Sequence, residues 1–556
     1  MKSTKIPNFE LPNLWAREWG IVRQEFLLAT CFLLLISFSG LYLFLYPDLA
    51  SQPWDSLEYG YSTELNGIKV MRGNHPLGHA IFFAIFSLAK QLGYNGRALP
   101  IFQISNGILG GIAIAIFFTT LVSLIKVRTQ YALGFSLITG ASYSFWFFAG
   151  TGDIYHLSIL FSLLAWAALV YEITLENRSF PFLSGLLAGL SILFHQLNIV
   201  LVPVGLALIL STPASGNETK KLKIKKNAVF IATLSITTVL GYLMLGFIAT
   251  SSLSPSRIIG WMQGYFGDST YGRYLTVEYF KTAWTTISQA VLFSPRNTYE
   301  LISHGLLAFF FLVMFVGLLA NKALDKRKQA IMIASALECL ITWPLILWWE
   351  PQNPKFWLLT LVPWMIILAL SFEAVEIRMR NLLPRFSNQL SSTAKALPLL
   401  IGFVLFSINI QSLGSRPEAA AFDEAMDIWM INSSPNDVLI TVGDLIPHLR
   451  YWGKRPNTVF LYRSLQASQA SPDGFYKLRA VINQALCANH TVLITPTASE
   501  YVFDSQLSIV DVSREDLRAY LDEIALEGKI VFWYRNVWDG KLLPVYALRG
   551  SGTCSE

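Results

Sequence analysis

Long, nearly unbroken apolar runs dominate this chain, and runs of that length leave few folds open. A helix needs about 20 mostly apolar residues to cross the hydrocarbon layer. Within lipid, only helices and closed barrels satisfy their own backbone hydrogen bonds. Runs that meet or approach this length are Phe26 to Tyr46, Ile101 to Leu124, Tyr131 to Ala149, Tyr155 to Ile173, Ala228 to Ala249, Leu306 to Ala320, Ala330 to Trp348, Phe356 to Phe372 and Ala396 to Leu413. Phe182 to Leu210 is interrupted by His195, Gln196 and Asn198, and is read as two short crossings that meet at the far surface. Pro76 to Leu92 has a short apolar centre bracketed by His79 and Lys90, which suits a helix lying at the interface. These readings predict a polytopic α-helical membrane protein of about 11 transmembrane helices.

Composition agrees with this reading. Of 556 residues, 53% are hydrophobic and only 14% charged, against roughly 25% charged in soluble domains. The net charge of +6 does not imply a nucleic-acid partner, because the basic residues fall in short clusters between the apolar runs. Lys126 and Arg128, Arg178, Lys220 to Lys226, Lys322 to Lys328, and Arg378 to Arg385 all fall on the N-terminal side of the predicted topology. The positive-inside rule makes that side the cytoplasm. Lys69, Arg72, Lys90 and Arg97 are the exceptions, in the first outer loop, and they invite a functional explanation. The first run lacks a convincing cleavage site and is read as a retained anchor. The expected placement is the cell inner membrane, with the N-terminus cytoplasmic and the C-terminus extracytoplasmic.

Three regions follow: 1–25, a cytoplasmic lead; 26–413, the membrane region, with an outer loop at 47–100 that holds the interfacial helix; and 414–556, a small extracytoplasmic α/β domain. In the last region Val438 to Val442, Thr458 to Tyr462, Val492 to Thr495 and Ile530 to Tyr534 are short and rich in β-branched or aromatic residues, with a helical pattern over Arg514 to Glu527. Cys31, Cys339, Cys487 and Cys554 have no ligand spacing, and only a Cys487–Cys554 bridge stays open. Val442-Gly443-Asp444-Leu445 follows a strand but lacks nucleotide-binding spacing.

Most of the polar residues of interest lie in the outer loops. Asp55 and Glu58 are three apart, so on a helix they share a face, where a carboxylate can accept a proton from a hydroxyl or help to hold a metal. Solvated loop ends carry such residues too. His75-Pro76 opens the interfacial helix, proline being tolerated in a first turn, and it places His75, with Arg97 beyond the helix, at the water boundary. Asp153 precedes a span and also suits a plain N-cap. His195 marks the break between the short helices. Lys355, between prolines and aromatics at the mouth of a span, is placed to neutralise a lipid phosphate. Tyr265, Phe266, Tyr271 and Tyr274 suit sugar stacking or interfacial packing equally. Glu338, inside a span, would fit a proton-coupled transporter.

The acidic pair after the first span, the His75-Pro76-Leu77-Gly78 segment opening a short helix, and the Gly93-Tyr94 and Arg97 that follow resemble the first lumenal loop of protein O-mannosyltransferases. More broadly they resemble the GT-C superfamily of polytopic glycosyltransferases that use polyprenyl-phosphate sugars. The resemblance implies Asp55, with Glu58 and Asp153, as the catalytic set, and Lys355, Arg97, His75 and His195 as donor contacts. It further implies a glycosyltransferase, inverting and mannosyltransferase-like, that moves a sugar from a polyprenyl-phosphate donor to an acceptor hydroxyl outside the cytoplasm. The partners would be that donor, membrane lipid and an acceptor of unknown class, with no nucleic acid. The resemblance fixes no cofactor, and a divalent metal on Asp55, Glu58 and Asp153 stays open. A secondary transporter, expected to show a polar path at mid-depth, and a non-catalytic assembly protein are the rival readings.

Overall fold

The computed structural model describes residues 12–45, 53–174, 181–212, 220–263, 277–294, 299–414, 417–442, 445–459, 461–466, 474–502, 512–536 and 540–549. Tyr265, Phe266, Tyr271, Tyr274, Gly443, Asp444 and Cys554 lie outside the described residues. Seven helical segments among them are long and apolar enough to cross a membrane: Gln24–Phe44, Ala98–Ile125, Tyr155–Ile173, Lys220–Thr250, Glu300–Leu319, Lys326–Trp349 and Ser391–Leu413. Thr129–Ala141 and Tyr143–Ala149 would make an eighth, bent by 61°, where Ser142 takes an extended backbone and its hydroxyl donates back to the Thr139 carbonyl. The chain is an integral multi-pass membrane protein.

The expected count of eleven is not reached by length and composition, for two reasons. Phe182–Phe194 and Gln196–Ser211 are apolar but short, being split where His195 is extended. The run expected over Phe356 to Phe372 is broken after Leu359, and its longer part, Leu361–Leu382, carries Glu373, Glu376, Arg378 and Arg380. That helix is the centre of the bundle: every residue from Leu361 to Ala374 is buried, as expected of a helix apolar on all sides. By contrast the Gln24–Phe44 segment is only 17% buried, and it shows Phe26, Leu28, Phe32 and Leu33 to its surroundings, as suits a lipid-facing helix.

One end of the bundle is tied by charge. Lys328 Nζ donates to both Glu373 oxygens at 2.8 and 3.0 Å, Arg128 pairs with Glu376, and Tyr131 and Arg380 reach the same carboxylate at 2.7 and 2.9 Å. Arg327 donates to the Leu124 carbonyl at 2.7 Å. Lys326–Trp349 has 24 residues and so is about 36 Å long, which puts this basic end and Trp349 a membrane thickness apart. Between them, the buried Glu338 accepts a hydrogen bond from the Trp166 indole at 2.7 Å. The lone acid in a span is thus bonded to a neighbouring helix.

The C-terminal residues form a four-stranded sheet in the order β1-β2-β4-β3. Its strands are β1 Val438–Ile440, β2 Thr491–Ile494, β3 Lys529–Arg535 and β4 Leu542–Arg549. β1 and β2 run parallel with Val438 opposite Val492, and the β2–β4 and β3–β4 pairs are antiparallel. Thr458 to Tyr462, expected as a strand, makes only a single bridge from Thr458 to Leu439. The Thr458 carbonyl is taken by the Arg450 guanidinium, and the chain then enters the Leu461–Gln466 helix. β4 was absent from the sequence reading. The Arg514–Leu526 helix forms as expected, with Ser513 capping the Asp516 amide. Cys487 is disulfide-bonded, whereas Cys31 and Cys339 are free.

Removing Lys328 leaves the buried Glu373 with only the more distant Arg128, at 4.0 Å, so most of its charge compensation is lost. Lys328→Met should therefore destabilise the detergent-solubilised protein by about 3–5 kcal/mol, and Lys328→Met/Glu373→Leu should recover most of that loss, as read by thermal unfolding of the two variants.

Candidate active site

The first outer loop folds as two helices joined by a short turn. Pro53 opens Trp54–Asn66, and Asp55 sits in its first turn, where a carboxylate is favoured by the helix dipole. The second, Pro76–Gln91, starts with proline at its first position and His75 as the N-cap residue. Between them the chain is pinned from outside. The Trp261 indole donates to the Met71 carbonyl at 2.7 Å, and a Cβ on Gly73 would stand 2.5 Å from the Trp261 carbonyl oxygen. Only glycine fits that approach.

This arrangement brings Asp55 to a residue 300 positions away. Lys355 Nζ donates to Asp55 Oδ2, and Arg72 approaches the other oxygen at 3.6 Å. Arg72 also lies 4.0 Å from Glu58 and 5.3 Å from the Tyr59 ring centroid, so one guanidinium spans both carboxylates of the acidic pair. Lys355 is held in turn by its own short helix, Pro354–Leu359, in which Asn353 accepts from the Lys355 amide at 3.3 Å. The signals were legible locally: Asn353-Pro354 is a cap followed by a first-turn proline. Arg72 was noticed only as a cation on the wrong side.

Around the ion pair stands a ring of buried neutral polar groups. The His75 Nε2 and Tyr59 hydroxyl are 3.0 Å apart, and the His75 ring lies 5.6 Å from that of His195. The Leu197 amide donates to His195 Nδ1 at 3.2 Å. This leaves the neutral ring's proton on Nε2, which stands 3.3 Å from the Tyr155 hydroxyl. Burial, with His79 and His195 adding to it, pushes His75 well below the usual histidine range, and burial brings His79 to about 3.

Asp153 closes the group from the turn before Tyr155. Its Oδ1 accepts from the Ile154 amide at 2.8 Å, Asn106 fixes the Thr151 and Asp153 carbonyls, and its buried Oδ2 has no hydrogen-bond partner among the described residues. Burial raises the Asp153 carboxyl to about 7, with Lys355 opposing and Asp55 reinforcing that shift. For Asp55 the balance is reversed. Burial alone would raise it, but Lys355 and Arg72 outweigh burial and hold it below the ordinary carboxylate value. Burial likewise pulls the Lys355 ammonium down, and Asp55 more than offsets that.

Asp55, Tyr59, His75, Tyr155, His195 and Lys355 line a cavity of about 240 Å³. The same cavity is lined by the apolar side chains of Ile199, Leu345, Ile346, Trp348 and Trp349. Ile199, Leu345 and Trp348 are exposed on the outer surface of the bundle, so the cavity opens sideways, onto the surface that faces lipid. Arg97 does not line this cavity. Its guanidinium pairs with Glu64 at 2.8 Å and lies 4.0 Å from the Tyr451 ring centroid, because the loop after the Pro76–Gln91 helix turns toward the C-terminal sheet domain. Glu58 is a neighbour of the cavity through Arg72 and does not line it. Among the described residues no group of three or more acidic, histidine or cysteine side chains is arranged to hold a metal. Asp55 faces Lys355 and Arg72.

No family model matches the chain, and no curated protein matches it. Solved structures do. ArnT from Cupriavidus metallidurans bound to undecaprenyl phosphate is 13% identical over 97% of this chain and 100% of that one, with a TM-score of 0.52. Its apo form gives 12% over 96% and 98%, also at 0.52. The Archaeoglobus fulgidus oligosaccharyltransferase in complex with Zn and sulfate is 11% identical over 92% of this chain and 72% of that one, at 0.52. These are GT-C glycosyltransferases, and the chain has their fold.

The raised Asp153 carboxyl ties stability to pH. A carboxyl raised in the fold contributes stability that is present below its unfolded value near 3.8 and is lost as pH rises to about 7. Asp153→Asn should therefore unfold at a higher temperature than the parent at pH 8, and the gap should shrink steadily toward pH 4 in paired melting curves.

Proposed function

We propose that this protein is a GT-C-type glycosyltransferase that moves a sugar from a polyprenyl-phosphate donor to an acceptor hydroxyl on the non-cytoplasmic face of the membrane. The observation that carries the reading is the cavity itself, whose lining joins a part-buried Asp55–Lys355 pair to apolar side chains, of which Ile199, Leu345 and Trp348 are exposed on the bundle surface. A lipid whose head is a phosphate and whose tail is hydrocarbon matches both kinds of lining. ArnT, whose fold the chain shares, was crystallised with undecaprenyl phosphate. The sidedness is supported by the basic cluster around Arg128, Lys328 and Arg380 at the opposite end of Lys326–Trp349, in keeping with the positive-inside rule.

In this reading the donor phosphate competes with Asp55 for Lys355 and Arg72. Once those cations turn to the phosphate, Asp55 loses the charges that hold its basicity down and becomes able to accept a proton. The acceptor oxygen attacks the anomeric carbon as its proton passes to Asp55. The anomeric C–O bond to phosphate breaks, and the lipid phosphate leaves with the bonding pair, its charge met by Lys355. One displacement inverts the anomeric centre. Asp153 acts through space on Lys355, supporting its charge. His75 and His195, kept neutral by burial and hydrogen bonding, present donors and acceptors to sugar hydroxyls rather than a second positive charge. Arg97, paired with Glu64, has no part in this reading.

Membranes carrying Asp55→Asn should retain the folded protein and lose transfer from a panel of labelled polyprenyl-phosphate sugars, the loss being at least about 100-fold, as is typical when a general base is removed. Lys355→Met should instead act chiefly on the donor, raising its KM by roughly tenfold or more, as expected when a charged hydrogen-bond partner of phosphate is removed. Full transfer by Asp55→Asn with the correct donor and acceptor would overturn the assignment.

A further inference from the structure

The helix that carries Asp55 is gripped at its far end by the C-terminal domain, chiefly through Tyr451. Tyr451, the last residue of the Leu445–Tyr451 helix, is fully buried against the first outer loop. Its hydroxyl accepts from the Leu99 amide at 2.9 Å and donates to Glu64 Oε1 at 2.9 Å. Glu64 Oε1 also accepts from the Ala98 amide at 2.7 Å, and its other oxygen takes the Arg97 Nε at 2.8 Å. The Arg97 guanidinium completes the stack over the Tyr451 ring.

These bonds solve a local problem of the Ala98–Thr119 helix. A helix start leaves backbone amides without partners, and Arg97 at its N-cap supplies no side-chain bond. Two of those amides, from Ala98 and Leu99, are satisfied from 34 and 352 residues away. The cap of a membrane helix therefore exists only when the Trp54–Asn66 helix and the C-terminal domain are both in place. Packing reinforces it. A Cβ on Gly60 would stand 3.0 Å from the Tyr451 ring, and Leu57, Leu99 and Tyr451 share one buried cluster. Asp55 lies nine positions before Glu64 on the same helix, about 14 Å along its axis, so a shift at the latch is carried rigidly to the Asp55 end.

We propose that Tyr451, with Glu64 and Arg97, is a latch through which the C-terminal domain positions Asp55 against Lys355. This rests on the transferase reading above. The three are positioning residues, since none of them lines the cavity. Releasing the latch lets the Asp55 end drift from the cations that hold its carboxylate ionised, whereas the apolar seat for the donor tail, built from Ile199, Leu345 and Trp348, is untouched.

The test is Tyr451→Phe in the full-length membrane protein, assayed with the lipid-linked sugar that the parent uses. The substitution keeps the ring in its socket and removes only the hydroxyl that serves Leu99 and Glu64. A fall in kcat of roughly tenfold or more is expected, with donor KM unchanged within about twofold, together with an acid limb of kcat/KM moved to higher pH. The direction of that move follows from Asp55: weaker pairing raises its carboxyl, so a higher pH is needed to ionise it. A loss that merely tracks the amount of folded protein, with the limb unmoved, or an unchanged kcat, overturns the latch. Should Tyr451→Phe fail to fold, Glu64→Gln keeps an acceptor for the amides, weakens the hold on Arg97, and must show the same limb shift; without it the proposal is refuted. Asp55→Asn, run in parallel, separates the two readings, because its retained activity sinks the transferase assignment itself.

Discussion

The ion pair between Asp55 and Lys355 is the interaction around which the outer end of the molecule is arranged. Taking two opposite charges out of water costs several kcal/mol per ion unless the geometry is good and the remaining lone pairs are met. Much of the surrounding structure serves that condition. Arg72 approaches the second Asp55 oxygen, Asn353 and Pro354 set the start of the Lys355 helix, and Trp261 pins the turn that carries Arg72. A pair so placed weakly favours a single stable fold. It suits a site in which an arriving anion can replace the carboxylate as the partner of Lys355.

The rest of the membrane region separates two kinds of polar end. One end is an interlocked set of ion pairs, Lys328 to Glu373 and Arg128 with Arg380 to Glu376, all satisfied by charge of opposite sign. The other holds neutral histidines and tyrosines, with an open carboxyl oxygen on Asp153. The interior between them is close to uniformly apolar around Leu361–Leu382, and Glu338 there is bonded to Trp166.

The C-terminal domain adds to this through contact rather than through residues in the cavity. Its sheet is stabilised by its own apolar clusters, one on each face, yet Tyr451 reaches out to satisfy the Leu99 amide at the start of a membrane helix. Buried amides without partners are costly, so this contact makes the outer domain part of the framework on which the loop helices rest.

Several features could be read from residues alone because their physics is local. Apolar runs such as Ala98–Ile125 must be helices in lipid, the Asn353-Pro354 pair starts a helix, and the motif from Asp55 to Arg97 resembled an outer loop of the GT-C superfamily, whose fold the structure shares. Asp55, His75, His195 and Lys355 were legible as polar residues at span ends, and all four line the cavity. What residues alone could not supply was pairing across the chain. Arg97 looked like a phosphate contact and binds Glu64 and Tyr451 instead. Arg72 looked like a topological exception and bridges Asp55 and Glu58. The span expected at Phe356 to Phe372 is broken after Leu359, and the Leu361–Leu382 helix that follows runs on to carry the acids that neutralise the basic end. Hydrophobic burial follows composition within a window of some 20 residues, whereas the partner of a charge is decided by which surfaces meet, and here partners lie up to hundreds of residues apart. That distance in sequence, closed only by the packed helices, is why the spans were readable from the residues and the site was not complete until the fold was known.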